Sequence, residues 1–452
     1  MGALRSIGAL TAGEVVNKLA RFAAAVVLAR ALSLDDYGLV NVGIAIGGIL
    51  FVACGLGLPE TGSRDVSVAP SRAAEIADRV LGGRLLVLAA LSLAALAVAL
   101  VAAPDDVPVV ALGVAMALAL ASSVEWLLRG LERMGAVAVA NAAGGAVVLA
   151  GAALIAATQP TALSALAIFV AGETTVAVLT LRAARLPRLP RPRIRGLRAA
   201  TRRSWPLGAS ALVVYSYYAN LDTILLSVMR SAQEAGLYSA PYRLFLALNV
   251  LGTFAAYALL PRIARAVEAG AAADAAAMAG LRRALVPLAG YGLVVLGAVE
   301  IAGEDVLRLL FGGRFAGQAD VFLVLCLAVP WYSVAFPVGY ALIARGAHRR
   351  FFAGAAAAGI LNVGLNVALI GSFGPIGAAV ATAGALIAGS VVWLRAHGML
   401  TRESAAPLAL VLLGTVAALA ALASSAATTP VGALTLAAGI AALAAGARSR
   451  HA

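Results

Sequence analysis

Charged residues are scarce in this chain, since they make up 12% of its 452 residues while hydrophobic residues make up 62%. So few polar side chains cannot coat a water-soluble fold of this length, and that class is excluded. The two cysteines, Cys54 and Cys326, lie inside apolar stretches and have no partner at a metal or disulfide spacing. Aromatic residues make up 6%, and the net charge of +13 is spread over short gaps between apolar runs, which does not indicate nucleic-acid binding. We expect an integral membrane protein without a metal site or an organic cofactor.

The apolar runs have the length of transmembrane helices. A helix rises 1.5 Å per residue, so about 20 residues cross a hydrocarbon core of about 30 Å. The runs are continuous, whereas barrel strands would alternate apolar and polar residues. The sequence predicts an all-α polytopic membrane fold with about 14 spans, at 8–30, 37–58, 80–103, 107–128, 136–157, 161–181, 206–229, 238–260, 283–302, 319–344, 352–371, 376–394, 406–424 and 430–446.

Basic residues are distributed unevenly between the two sides that these spans define. Alternate gaps, beginning with the N-terminus, hold 27 of the 34 basic residues, and the remaining gaps hold four. Cytoplasmic loops retain positive charge during insertion. The count therefore predicts a multi-pass protein with both termini in the cytoplasm.

The most polar segment divides the chain into two parts. Residues 182–203 contain nine arginines and three prolines between the sixth and seventh spans. We interpret this segment as a cytoplasmic linker that fixes topology and attracts anionic lipid headgroups. The predicted domains are an N-terminal six-helix bundle (1–181), the linker (182–205), a second six-helix bundle (206–396), and two extra transmembrane helices with a cytoplasmic tail (397–452).

Short motifs recur on the two sides of the linker, in order and at equivalent places. They are Asp36-Tyr37-Gly38-Leu39 and Glu234-Ala235-Gly236-Leu237 at an offset of 198, Leu58-Pro59 and Leu260-Pro261 at 202, and Arg129-Gly130-x-x-Arg133 and Arg345-Gly346-x-x-Arg349 at 216. Six helices is an even number, so both halves keep one orientation and are related by an axis along the membrane normal. Two parallel bundles with a site between them is a transporter layout.

Several stretches in both halves also match the pattern of a known family. They are Ala29-Arg30-Ala31-Leu32 through Asp36-Tyr37-Gly38, Leu221-Asp222-Thr223-Ile224-Leu225, Glu234-Ala235-Gly236-Leu237-Tyr238-Ser239-Ala240, Val306-Leu307-Arg308-Leu309-Leu310-Phe311-Gly312, Leu361-Asn362-Val363-Gly364-Leu365-Asn366 and Gly374-Pro375-Ile376-Gly377-Ala378-Ala379. In these elements, which extend over most of the chain, the sequence resembles the polysaccharide-unit (O-antigen type) flippases of the multidrug/oligosaccharidyl-lipid/polysaccharide (MOP) exporter superfamily.

This resemblance implies a fold and a function. The fold is two six-helix bundles that form a V around a central cavity, with alternating access. The function is that of a flippase in the bacterial cytoplasmic membrane, which transports an undecaprenyl-diphosphate-linked oligosaccharide for surface polysaccharides such as lipopolysaccharide O-antigen. Membrane lipids and other polysaccharide-assembly proteins are the partners that the resemblance suggests, and it implies no enzymatic activity.

Three charges share one face of the first predicted span. At about 100° per residue, Glu14, Lys18 and Arg21 fall within about 60° of one another. If that face met lipid, the three charges would oppose insertion by about 8 to 10 kcal/mol. We therefore expect the face to meet protein or a watery cavity. An internal pair between Glu14 and Lys18 is the structural alternative, and it leaves Arg21 unpaired.

A second polar face is predicted in the seventh span, which carries Tyr215, Tyr218 and Asp222, and Arg243 follows in the eighth. Counted from the outer ends, Arg243 lies about 7 Å deep and Arg21 about 13 Å, so the two arginines are predicted to share the outer half of one cavity.

We predict that Lys18, Arg21 and Arg243 bind the lipid diphosphate, because arginine matches phosphate oxygens in a bidentate way. Tyr215 and Tyr218 would then stack on sugar rings, with ordinary helix contacts as the alternative for both.

Carboxylates at membrane depth are candidates for binding a coupling proton or sodium ion. Glu14, Asp222 and Glu173 are these candidates, and the sequence does not rank them. Neutralising Arg243 is the alternative role for Asp222. Glu125 and Glu173 lie near the ends of the fourth and sixth predicted spans, and Glu125 forms an i, i+4 pair with Arg129 that we interpret as structural.

Other functions remain open at this point. A membrane enzyme acting on lipid-linked sugars needs acid, base or metal groups, usually on a large extracytoplasmic loop. The longest outer gap, 303–318, offers only Glu304, Asp305 and Arg308 as charged residues before its final arginine. The alternatives within the superfamily are a multidrug exporter and a lipid II flippase.

Overall fold

The computed structural model describes residues 2–188, 190, 191, 197, 198, 200–205, 208, 221–400, 405–424 and 428–448. Every regular element in these ranges is a helix, as the sequence predicts. The chain forms two compact units, Met1–Gly236 and Leu237–Ala452. The predicted domain boundaries at 181, 205 and 396 stay a prediction.

The first unit contains nine described helices and the start of a tenth. They are α1 (Gly2–Ala31), α2 (Leu34–Gly55), α3 (Leu58–Val68), α4 (Ala73–Ala102), α5 (Val107–Ser122), α6 (Glu125–Gly130), α7 (Met134–Ala156), α8 (Ala162–Ala184), α9 (Leu221–Met229) and α10 (Ala232–Leu248).

Polar caps connect the starts of α2 and α8. The Ser33 hydroxyl accepts a hydrogen bond from the Asp36 amide at 3.0 Å and so caps α2. Asp36 Oδ1 in turn accepts a hydrogen bond from the Ala162 amide at 2.8 Å, at the first turn of α8. Thr161 and Ser164 complete a capping box there. The aspartate of the first repeated motif therefore joins two helix starts.

Two glycines of the repeated motifs let α2 and α10 cross closely. A Cβ on Gly38 would collide with the Ala232 carbonyl oxygen, and a Cβ on Gly236 would collide with the Leu34 carbonyl oxygen. These contacts are reciprocal at the predicted offset of 198, as a two-fold relation between the helix starts requires.

The described part of the linker is hydrogen-bonded to α4 within the first unit. Asp78 of α4 is 1% exposed, and it accepts hydrogen bonds from Arg188 Nη1 at 3.0 Å and from the Arg191 amide at 2.7 Å. A buried carboxylate is stable only when it is paired in this way.

The second unit continues from α10 with seven helices in its described part. They are α11 (Val250–Ala269), α12 (Ala271–Phe311), α13 (Ala319–Cys326), α14 (Ala328–Ala344), α15 (His348–Ala396), α16 (Ala405–Ser424) and α17 (Thr428–Arg448). α17 lies against α12 at small residues, since a Cβ on Gly290 would lie 2.8 Å from the Gly439 carbonyl oxygen, and the reverse contact is equally short.

The described residues contain nine stretches that are long and apolar enough to cross a membrane, and two shorter apolar helices follow at Ala405–Ala420 and Gly432–Ala445. One of the nine, α15, joins the eleventh and twelfth predicted spans across a kink at Gly374 (φ 55°, ψ −133°), which Pro375 follows. Most of the seventh predicted span lies outside the described residues. The count of fourteen therefore stays a prediction.

The turns that follow α6 and α14 have the same geometry. Leu131 (φ −87°, ψ 6°) and Arg345 (φ −88°, ψ 6°) end these helices. Two residues later, the amides of Arg133 and Ala347 each donate to the carbonyl five residues earlier, both at 2.8 Å. The turns therefore correspond at an offset of 214, and the offset of 216 read from the motif is wrong by two residues. Arg133 corresponds to Ala347 rather than to Arg349.

Candidate functional site

The charged face of α1 lies at membrane depth because α1 runs alongside α7, one of the nine apolar stretches. A Cβ on Gly145 of α7 would lie 2.8 Å from Asn17 Oδ1 and 3.2 Å from the Ala20 side chain, and Gly13 of α1 contacts Ala138. Residue numbers increase together along this contact, so the two helices run in the same direction, as first and fifth spans must.

Arg21 of α1 forms an ion pair with Glu173 of α8. The distance from Nη1 to Oε1 is 2.7 Å, and the two side chains are 23% and 10% exposed. Arg21 Nε also donates to Asn17 Oδ1 at 2.9 Å. Glu173 is central in α8 (Ala162–Ala184), so its expected place near a span end is wrong. The pair therefore places both charges at mid-helix depth.

A second cluster joins α1 to α6. Arg129 Nη2 lies 3.1 Å from Glu125 Oε2 and 3.9 Å from Glu14 Oε1. The predicted pair between Glu125 and Arg129 is confirmed. Glu14 thus pairs with Arg129, and the alternative Glu14–Lys18 pair is not formed.

The fourth predicted span contains a break that the sequence analysis missed. α5 ends at Ser122, Ser123 is extended (φ −64°, ψ 138°), and α6 begins at Glu125. The Thr180 hydroxyl of α8 accepts a hydrogen bond from the Val124 amide at 3.4 Å. Arg84 of α4 is 2% exposed and donates to the Ser123 carbonyl at 3.5 Å. Its charge lies at the C-terminal end of α5, where a helix favours a cation.

The break places Glu125 in the first turn of a new helix, beside the Arg129 and Glu14 side chains. The signal in the sequence was the Ser122-Ser123 pair inside an apolar run.

Lys18 differs from Glu14 and Arg21, the other two charged residues on its face of α1. Its side chain is exposed, and the Val16 and Leu19 side chains on other faces of the same turns are 51% and 63% exposed. Among the described side chains it forms no ion pair. The region contains three carboxylates and three cations. Arg21 and Arg129 each pair with a carboxylate, whereas Lys18 has no carboxylate partner among the described side chains.

The model of the polysaccharide biosynthesis protein family matches residues 3–267, which is more than half of the chain. The chain belongs to the polysaccharide biosynthesis protein family. No curated protein matches this family member by sequence.

Solved transporters share the fold of this polysaccharide biosynthesis protein. The lipid II flippase MurJ in an inward closed conformation gives a TM-score of 0.74 at 12% identity, with 97% of each chain covered. An inward-facing multidrug resistance MATE family transporter of the MOP superfamily gives 0.65 at 14% identity, with 88% of this chain and 98% of that chain covered. A MOP superfamily transporter from Pyrococcus furiosus gives 0.56 at 13% identity, with 89% and 95% covered. The fold is therefore that of MOP-superfamily membrane transporters, and the family member is a multi-pass membrane protein.

Of the four remaining predicted site residues, two lie in the described part of this family member. Asp222 is 4% exposed in α9 and accepts a hydrogen bond from the Thr223 amide at 3.0 Å. Arg243 is half-buried in α10 within the second unit. Tyr215 and Tyr218 lie outside the described residues. A cavity shared by Arg21 and Arg243 stays a prediction.

Glu300 is a further membrane-depth carboxylate, and the sequence analysis did not identify it. It is 8% exposed in α12 and forms no ion pair in the described part of the chain. Gly432 of α17 lies against it, since a Cβ on Gly432 would lie 3.0 Å from the Glu300 Cβ. Its position near the end of the ninth predicted span was the available signal. Among the described residues, no cluster of three His, Cys, Asp or Glu side chains has the arrangement of a metal site.

Proposed function

We propose that this polysaccharide biosynthesis protein is a flippase that moves a polyprenyl-diphosphate-linked oligosaccharide across the bacterial cytoplasmic membrane by alternating access, with both termini in the cytoplasm. Membership of the family supports the substrate class, and the fold supports transport rather than an enzymatic reaction. Export of a surface polysaccharide unit, such as an O-antigen unit, is the process in which this activity is used.

The observation that carries the proposal is the exposed Lys18 at membrane depth. An ammonium group in the hydrocarbon core costs about 2.5 to 3.5 kcal/mol, so an unpaired one is retained where water or an anionic ligand meets it. A diphosphate supplies that anion, and lysine binds phosphate oxygens as a point charge. Arg21 and Arg243 are the proposed further ligands, and Tyr215 and Tyr218 are proposed to stack on sugar rings.

The Arg21–Glu173 pair supplies a coupling step in this proposal. While Glu173 is ionised, its Oε1 pairs with Nη1 of the Arg21 guanidinium at 2.7 Å. A proton on Glu173 removes that charge and frees Arg21 for the substrate diphosphate. Substrate binding and proton binding then favour each other, as linkage requires. Glu14 and Asp222 are the other proposed proton or sodium sites.

The likeness in fold to the lipid II flippase supports a second candidate, since lipid II also carries a polyprenyl diphosphate. A multidrug exporter is a third candidate, and it is disfavoured by the exposed cation, which would repel cationic drugs.

Flipping of a lipid-linked oligosaccharide by the full chain in reconstituted vesicles tests the proposal. We expect Lys18→Ala to slow flipping about tenfold, the effect of losing one charge-assisted contact. Arg308→Ala is the matched control, because Arg308 pairs with Glu304 on the surface with both side chains 55% exposed. Equal rates in wild type and Lys18→Ala would reject the anion site. Transport of lipid II alone would identify the second candidate, and ethidium efflux the third.

A further inference from the structure

A cavity of about 480 Å³ lies in the second unit where three helix ends meet. Its walls are the end of α14, the start of α15 at Arg349 and Arg350, and the end of α15 at Ala396 and His397. α14 and α15 belong to the apolar stretches that can cross a membrane. The cavity therefore lies at a membrane–water interface, on the side that the arginine count predicts to be cytoplasmic.

The repeated turn explains why space is present here. In the first unit, Arg133 Nη1 donates to the carbonyls of Ala183 and Ala184 at the end of α8, at 2.9 and 3.0 Å. Its guanidinium therefore lies against that helix end. The equivalent residue in the second unit is Ala347, which lines the cavity. The Ala347 methyl group is too short to reach the end of α15 as Arg133 reaches the end of α8, so the space beside that helix end stays open.

The walls of the cavity are strongly basic. Arg349 and Arg350 are exposed, and Arg349 forms no ion pair in the part of the chain that the structure describes. Arg350 Nη1 makes one long hydrogen bond to the Ala396 carbonyl at 3.4 Å. Arg345 pairs with Asp274 of α12, and among the described residues no other carboxylate pairs with these arginines. The start of α15 adds the positive end of a long helix.

His397 supplies a polar group that lacks a partner. Both ring nitrogens are buried, and neither has a hydrogen-bond partner among the described residues. A buried polar group without a partner costs free energy, which a ligand oxygen would recover. Burial, and after it the charge of Arg345, lowers the pKa of His397 from 6.5, so the neutral ring offers an N–H at pH 7.

We propose that this cavity binds the phosphate group of an anionic membrane lipid. Arg349 and Arg350 hold the phosphate oxygens, the His397 ring donates to one of them, and the glycerol backbone occupies the remaining space. The site is separate from the proposed transport site and does not depend on it.

A lipid fits these observations better than a soluble anion does. The volume is within the range of sites for whole small ligands, well beyond the needs of inorganic phosphate. Basic cavities between transmembrane helices at this interface bind anionic headgroups, which are also concentrated there.

The test measures binding of phosphatidylglycerol to the purified full chain in detergent by native mass spectrometry. We expect phosphatidylglycerol to bind more tightly than phosphatidylethanolamine, and Arg349→Ala/Arg350→Ala to weaken its binding about 30-fold. Arg262→Ala is the control, because this exposed arginine on α11 is not part of the cavity wall. The control should bind as wild type does.

Three results would overturn the proposal. One is equal phosphatidylglycerol binding by wild type and the double variant, and another is equal binding of the two lipids. The third is inorganic phosphate at low millimolar concentration displacing the lipid completely from wild type, because the site would then belong to a soluble anion.

Discussion

The turns after α6 and α14 share their backbone but differ in what their side chains do. In both, the helix ends with the same dihedral angles and the same hydrogen bond closes the turn at 2.8 Å. Arg133 then closes the first turn onto α8, whereas Ala347 leaves a cavity at the second. A repeated backbone therefore fixes where helices begin and end, and single side chains decide whether an interface is sealed or open.

The charges of the two units differ in a related way. In the first unit, Glu173 holds Arg21 at membrane depth, and Glu125 holds Arg129 near the end of α6. In the second unit, Arg349 and Arg350 lie at a helix start on the wall of the cavity, and neither forms an ion pair in the described part of the chain. A charge that is paired in the membrane can exchange one partner for another. Cations at the interface without a carboxylate partner can instead bind an anionic ligand that stays in place. Four experiments test this contrast.

Breaking the Arg21–Glu173 pair should have the largest effect. Glu173→Leu leaves the Arg21 guanidinium without its carboxylate at mid-helix depth, and we expect a loss of about 3 to 5 kcal/mol in the free energy of unfolding. Arg21→Met/Glu173→Leu should recover most of this loss, because an apolar pair of similar volume carries no uncompensated charge. Unfolding of the purified chain in micelles measures both.

Glu304→Ala serves as the control for that experiment, since its pair with Arg308 is exposed and contributes less than about 1 kcal/mol. If the single and double variants at Arg21 and Glu173 were equally unstable, the loss would come from packing rather than from an unpaired charge.

Arg133→Ala should have a smaller effect on stability. It removes two hydrogen bonds to the end of α8, and because the side chain is exposed we expect a loss of about 1 kcal/mol. Arg349→Ala in the second unit should change stability by less than about 0.5 kcal/mol, as for other exposed sites. Melting temperatures of the two variants provide the measurement, and equal losses would contradict the contrast between the turns.

Much of this fold could be predicted from the sequence, because the features involved are local. Continuous apolar runs predict the helices, and the i, i+4 spacing predicts the Glu125–Arg129 pair. The repeat was also visible, although its third motif gave the wrong register, since Gly130 lies within α6 while Gly346 (φ 73°) lies in the turn.

The site was harder to predict because its contacts join distant parts of the chain. Glu173 meets Arg21 only because α8 and α1 both lie beside α7, and no spacing along the sequence encodes that contact. The sequence indicated no partner for Arg84, yet Arg84 is buried in α4 and donates to the Ser123 carbonyl at the end of α5. The cavity depends on an alanine, which carries no chemical signal in a sequence rich in alanine.

Ala347→Arg tests the origin of the cavity directly. The new guanidinium should reach the end of α15 as Arg133 reaches the end of α8, and fill the space. We expect phosphatidylglycerol binding to weaken about tenfold although a positive charge is added, since a filled site loses more than one added surface charge contributes. Ala269→Arg adds the same charge at the exposed end of α11 and should not weaken binding. Tighter lipid binding by Ala347→Arg would show that charge alone determines affinity.

The smallest expected effect is a pH dependence that His397 confers. Burial and Arg345 hold the pKa of this histidine below 6.5, and Asp274 and Arg282 are the other charged groups in the described part of the chain that act on it. Without lipid, the unfolded state binds more protons below pH 6.5, so stability should fall as pH falls through the depressed pKa. A bound phosphate reverses the preference by stabilising the imidazolium. Phosphatidylglycerol should therefore bind a few-fold more tightly at pH 5.5 than at pH 7.5 in wild type, and equally at both in His397→Gln, because its phosphodiester does not titrate in this interval. A pH dependence that survives in His397→Gln would assign it to another group and remove the histidine from the site.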